Sequence, residues 1–166
     1  LDGLLVGPTM EALGMSGILR KLQRNGQLNL TQLQGNSKRI RSAFRLLESQ
    51  NWVKMEGDIV AVTDVGRVAI LREPSYGVTV SYLPIFAKLS KFLTDPEPGN
   101  IYPRTYDDNE THVNRPMNVR GSGGAHTTYF KKIDEIIIDI FNRPIEGQPK
   151  GIADMGCGDG TFLKHL

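Results

Sequence analysis

The stretch GIADMGCGDGTFLKHL, residues 151–166, constrains the fold of this chain more than any other. An apolar segment runs into Asp154, and glycines follow at alternate positions, Gly156, Gly158 and Gly160. Glycine turns sharply and admits a ligand close to its backbone because it has no Cβ. The pattern predicts a short buried strand over Ile152–Met155, a tight loop, and a helix beginning at Thr161. That is the opening of an α/β sheet domain. A helix N-terminus offers unsatisfied N–H groups and the positive end of its dipole to polar or anionic ligand atoms. A ligand belongs beyond the carboxyl end of such a strand, where Asp154 can accept hydrogen bonds from a cationic amine. The spacing is GxGxG, not the GxGxxG of dinucleotide sites, and the Lys-Ser/Thr of a phosphate-binding P-loop is missing.

Upstream, the first ~75 residues read as a small helical unit with a hairpin. Met10 to Leu22 carries an apolar stripe at helical spacing (Met10, Leu13, Ile18, Leu19, Leu22), stopped by Asn25-Gly26. Leu28 and Leu30 begin a short element. Ser37 is expected to cap a helix to Gln50, whose Ile40, Ala43, Phe44 and Leu47 follow the i, i+3, i+4, i+7 pattern. Residues 52–55 and 59–62 flank Glu56-Gly57-Asp58 as a hairpin. Thr63 should cap a helix over Asp64–Leu71, broken near Pro74. Helix, helix, helix, hairpin is the order of a winged helix.

A helix is expected from about Pro84 to Leu93. Residues 94–125 then hold Pro96, Pro98, Pro103 and Pro116, four glycines and the acidic run Asp107-Asp108-Asn109-Glu110. This reads as a lid or linker with a solvated acidic surface. His126 to Asn142 returns to a helical stripe through Phe130, Ile133, Ile137 and Ile140. The expected fold is mainly α with a small β-hairpin (winged-helix-like), followed by the start of an α/β Rossmann-like domain. Its parts are a winged-helix-like module (1–75), a helix plus lid (76–125), and the N-terminal part of a cofactor-binding core (126–166).

Asp154-Met155-Gly156-Cys157-Gly158-Asp159-Gly160-Thr161-Phe162 resembles the first motif of class I S-adenosylmethionine-dependent methyltransferases. The resemblance implies that Gly156, Gly158 and Gly160 pass under the methionine and ribose of the cofactor and that Asp154 fixes the methionine amine. Cys157 and Asp159 would add backbone or near-neighbour contacts. With Tyr76–Pro84 and Gly121–His126, the chain also resembles methyltransferase regions of polyketide synthase loading modules. That likeness implies carbon methylation of a carrier-bound acyl group, an acyl carrier protein and the remaining synthase domains as partners, and a mononuclear metal in some relatives. A methyltransferase of a free small molecule, acting on oxygen, is the alternative. Its winged-helix unit would serve as a dimerisation module, which leaves a homodimer open.

The chain does not begin with Met and stops six residues after Gly160. A complete sheet domain needs on the order of 100 more residues, so we expect a piece of a longer enzyme, inactive by itself. Catalytic groups are expected elsewhere. Within the chain, His126 is an acid/base or metal-ligand candidate, or simply a helix-start residue bonded to backbone; Tyr129 is a candidate pocket-liner. His112 and Cys157 have no visible partner that would make them reactive.

Lys38, Arg39, Arg41 and Arg45 lie off the apolar stripe of their helix, which admits a third reading, a DNA-binding regulator. Glu56 and Asp58 sit where a DNA-contacting wing would carry lysine or arginine, and the formal charge is only +2. Nucleic acid is therefore disfavoured. The same basic face suits an acidic carrier protein better. No run approaches the ~20 apolar residues of a membrane span. A single cysteine and no signal-like start fit a cytoplasmic protein.

Overall fold

The computed structural model describes residues 2–97 and 99–166; Leu1 and Pro98, the latter among the loop prolines above, lie outside them. Helices α1 (Asp2–Met15) and α2 (Ile18–Asn25) open the chain. They replace the single helix expected across Met10–Leu22. Gly17, at φ +75°, breaks the run, because left-handed backbone ends an α-helix at once. The apolar stripe survives the break: Met10, Leu13, Leu19 and Leu22 all point into one core.

Strand β1 (Gln27–Asn29), helix α3 (Ser37–Ser49) and strands β2 (Val53–Glu56) and β3 (Ile59–Val62) follow. The cap of α3 is Asn36 rather than Ser37, its side chain accepting from the Arg39 N–H at 3.0 Å. Both residue types make this bond, so the sequence could place the start only to within one residue. The three strands form an antiparallel sheet in the order β1-β3-β2, with Leu28 opposite Val60 and Val53 opposite Val62. Gly57 takes φ +60° in the two-residue turn between β2 and β3, a conformation that favours glycine. Phe44 and Leu47 of α3 and Val53 and Val60 of the sheet are fully buried against α1 and α2. Burial of each such side chain contributes about 1.5–3 kcal/mol. The winged-helix expectation is met.

Thr63 caps α4 (Asp64–Leu71) as expected, its hydroxyl accepting from the Gly66 N–H at 3.0 Å. Pro74 does not end order. It sits in the first turn of α5 (Glu73–Val80), where a missing N–H costs nothing. Two short helices, α6 (Leu83–Phe86) and α7 (Leu89–Thr94), stand where one was expected.

The largest departure is α8, which runs from Arg115 to Phe141. Residues 115–125, read above as lid, are its first three turns. Glycine disfavours helix by about 1 kcal/mol each, yet here the gaps are filled by a neighbour. A Cβ on Gly121 would lie 2.7 Å from the Pro74 carbonyl oxygen and the Val78 nitrogen, so α5 packs backbone to backbone against α8. The expected strand Ile152–Met155 is absent. The segment pairs with no strand among the described residues, and both Ile152 and Met155 are exposed. A β-strand without a ladder partner has nowhere to place its N–H and C=O groups except water. Helix α9 (Thr161–His165) ends the described chain. Among the described residues no helix is long and apolar enough to cross a membrane.

Candidate functional site

One cleft of about 730 Å³ gathers most of the residues singled out from sequence. Its floor is the glycine loop, with Asp154, Gly156, Cys157, Gly158 and Asp159 lining it. Its wall is one face of α8, where Arg115, Asn118, Ser122, His126 and Tyr129 follow helical spacing. A cleft of this size is in the range that holds a small-molecule cofactor.

The loop is built from left-handed turns. Gly156, Gly158 and Gly160 have φ of +83°, +58° and +74°, so any side chain there would be strained. The Gly160 N–H returns to the Cys157 carbonyl at 2.8 Å, closing the turn. Gly160 precedes α9 as its N-cap residue rather than lining the cleft. Asp159 is engaged within the loop: its Oδ1 accepts from the Thr161 hydroxyl at 2.5 Å and from the Thr161 N–H at 3.0 Å. Those bonds, the hydroxyl one first, hold its carboxyl below the usual range. Asp154 is half-buried at the loop's base and faces the cleft.

Packing on α8 sets the loop's position. The Phe130 and Phe162 ring centroids are 5.2 Å apart, and His165 Nε2 is 2.7 Å from Asp134 Oδ1. A Cβ on Gly123 would lie 3.2 Å from Thr161 Oγ1, and one on Gly158 would lie 3.2 Å from a Val119 methyl. Glycines 121 and 123 thus serve opposite faces of one helix, towards α5 and towards the glycine loop.

His126 and Tyr129 are both exposed at the cleft, with ring centroids 6.2 Å apart, and Ser122 Oγ lies 3.5 Å from His126 Nδ1. Among the described residues no three His, Cys, Asp or Glu side chains converge as a metal site requires. His126 belongs to no such group among them. His112 is buried instead, its ring 5.0 Å from that of Tyr102 and its Nε2 3.7 Å from Glu110.

The acidic run is not uniformly solvated. Glu110 grips Arg115 through two bonds of 2.6 and 2.7 Å, and Arg104 stands 3.8 Å away. The hydrogen bond to Arg115 is the main cause holding the Glu110 carboxyl below its ordinary value. This clasp ties the loop before α8 to its first turn, at the rim of the cleft. Arg115, Asn118 and Ser122 were not expected to be site residues because their segment was read as a loop. The signal was present: Asn114 caps α8, accepting from the Met117 N–H at 3.1 Å, and Pro116 lies in the first turn.

In the winged-helix unit, Arg41 donates to the Gly57 carbonyl at 2.9 Å and pairs with Asp58. One of the four basic residues of this helix is thus bound to the acidic tip of its own wing.

Residues 2–95 match the family model of the AprA winged helix domain, and residues 110–166 match that of the AprA MT2-like domain. The chain belongs to the AprA winged-helix family. Its C-terminal part is the start of an AprA MT2-like methyltransferase domain. The chain is also similar to a 2-ketoarginine methyltransferase of Streptomyces arginensis, 28% identical over 123 residues. That match covers 74% of this chain and 32% of the relative, so the chain spans about a third of the relative's length.

Proposed function

We propose that the chain is the winged-helix unit and first cofactor-binding segment of an S-adenosylmethionine-dependent methyltransferase that methylates an acyl carbon. The observation that carries this is the run of three alternating left-handed glycines behind Asp154, of which Gly156 and Gly158 line the cleft opposite one side of α8. The cofactor would supply an electrophilic methyl group on a sulfonium. Asp154 would hold its amine by a charge-assisted hydrogen bond, and the loop glycines would let its chain lie against backbone. Cys157 and Asp159 would contribute from the loop, and Tyr129 from α8. Asp159, already bound to Thr161, would fix the loop's shape more than it contacts ligand.

A saturated carbon becomes nucleophilic when its C–H is acidified, as beside a carbonyl. A carrier-bound acyl thioester offers this, and so does the 2-oxo acid in the relative's name. His126, exposed at the cleft, is the group we assign to receive that proton. The acceptor in our reading is an acyl group on a carrier protein in polyketide assembly. Lys38, Arg39 and Arg45 remain exposed on α3 as its docking face. The cleft is open, and among the described residues no parallel sheet backs Ile152–Met155. Residues 1–166 by themselves are therefore expected not to transfer methyl groups.

The test uses a polypeptide carrying the full methyltransferase region. Calorimetry should show S-adenosylmethionine binding that Asp154→Ala weakens at least about tenfold, as loss of a hydrogen bond to a charged group does. Undiminished binding by that variant overturns the assignment. Isotope-labelled methyl found on oxygen rather than carbon would favour the small-molecule O-methyltransferase reading.

A further inference from the structure

Outside the cleft, the most unusual chemistry is where α1, α5 and α8 meet. Arg120 of α8 donates to Glu11 Oε1 of α1 at 2.5 Å and to both carboxylate oxygens of Glu73 of α5, at 3.0 and 3.1 Å. Glu11 is 1% exposed and Glu73 7%, so two buried carboxyl groups share one guanidinium, whose own side chain is 37% exposed. The chamber is made by glycines. A Cβ on Gly14 would lie 2.0 Å from Glu73 Oε1, and one on Gly77 would lie 3.0 Å from Glu11 Oε2. The remaining oxygen, Glu11 Oε2, is buried with no donor.

Two ionised carboxylates on one cation leave a net negative charge inside the protein, and an orphaned oxygen adds to its cost. Two buried carboxyl groups that bond one guanidinium relieve both by retaining a proton that bonds one to the other. We propose that Glu11 and Glu73 hold one proton between them beneath Arg120, and that this proton clamps α8 to the winged-helix unit. The charged groups that act on Glu11 are Arg120 from α8 and Glu73 from α5. Burial pushes the Glu11 carboxyl up, Arg120 opposes this, and Glu73 adds to it. The clamp is independent of what the cleft binds.

The direction of its pH dependence is opposite to that of most carboxyl groups. The folded chain holds this proton more tightly than the unfolded chain. The contribution to stability is therefore full below the ordinary value of 4.5 and is lost as pH rises through the raised folded value. Each unit of that rise changes the unfolding constant about tenfold.

Infrared titration of the wild-type chain should show one carboxylic acid still protonated where the other carboxyl groups have ionised. That band should be missing from both Glu11→Gln and Glu73→Gln. In thermal unfolding, Glu11→Gln, whose amide donates to Glu73 in place of the proton, should lack the fall in stability above about pH 4.5. Carboxyl groups that all ionise together in the wild type would overturn the proposal, as would a Glu11→Gln unfolding profile with unchanged pH dependence. If a variant does not fold, the wild-type titration decides alone.

Discussion

The winged-helix core and the glycine loop are joined to opposite faces of α8, and they obey different rules. In the core, α1 to α3 and the three-stranded sheet enclose Phe44, Leu47 and Val60 completely. In the loop, Gly156, Gly158 and Gly160 keep their shape through left-handed backbone and a few short bonds, while Ile152, Met155 and Cys157 stay exposed. The core is specified by what it excludes from water, and the loop by backbone conformations that only glycine adopts without strain. Substitutions in the first should act on stability, and those in the second on binding.

The strongest way to break this contrast is Phe44→Ala. Removing a fully buried aromatic side chain costs about 3–5 kcal/mol, measured as a fall in the denaturant midpoint; a loss below ~1 kcal/mol would show the core to be loosely packed. Next comes Gly121→Ala, which adds a Cβ 2.7 Å from two backbone atoms of α5. Backbone cannot swing aside as a side chain can, so a loss of about 1–3 kcal/mol is expected despite alanine's better helix propensity. Gly156→Ala meets no atom within 4 Å but is forced to φ +83°. It should cost about 1–2 kcal/mol locally, leave the main unfolding transition in place, and weaken S-adenosylmethionine binding in the full methyltransferase region. Unaltered binding would separate the loop's shape from its function.

The smallest expected effect is a difference of sign with pH. Glu110, held low by Arg115, contributes stability above its unfolded value and loses it as pH falls through the folded one. Glu11 contributes in the opposite sense. Glu110→Gln should therefore flatten the acid limb of the stability profile and Glu11→Gln the limb above it. Exchange of these two effects would reverse the assignment of which carboxyl retains its proton.

How much of this was legible in the sequence follows the range of each signal. The hairpin around Gly57, the Thr63 cap and the stripe of α3 are short-range patterns, and the structure keeps them. The loop glycines likewise announced their own backbone. Three features needed neighbours distant in the chain. Residues 115–125 are helical because α5 supplies a surface that fits glycine. Ile152–Met155 is not a strand because no partner strand lies beside it among the described residues. Glu11, Glu73 and Arg120 carry no motif at all, being separated by 62 and 47 residues.

By itself, then, the sequence determined the winged-helix order, the Thr63 cap and the glycine loop, since each depends on residues within a few positions of one another. Tertiary structure decided which face of α8 meets the winged-helix unit and which the cleft, and that two carboxyl groups lie under one arginine. Those outcomes rest on close approach between distant helices, and close approach is set by the packing of whole surfaces.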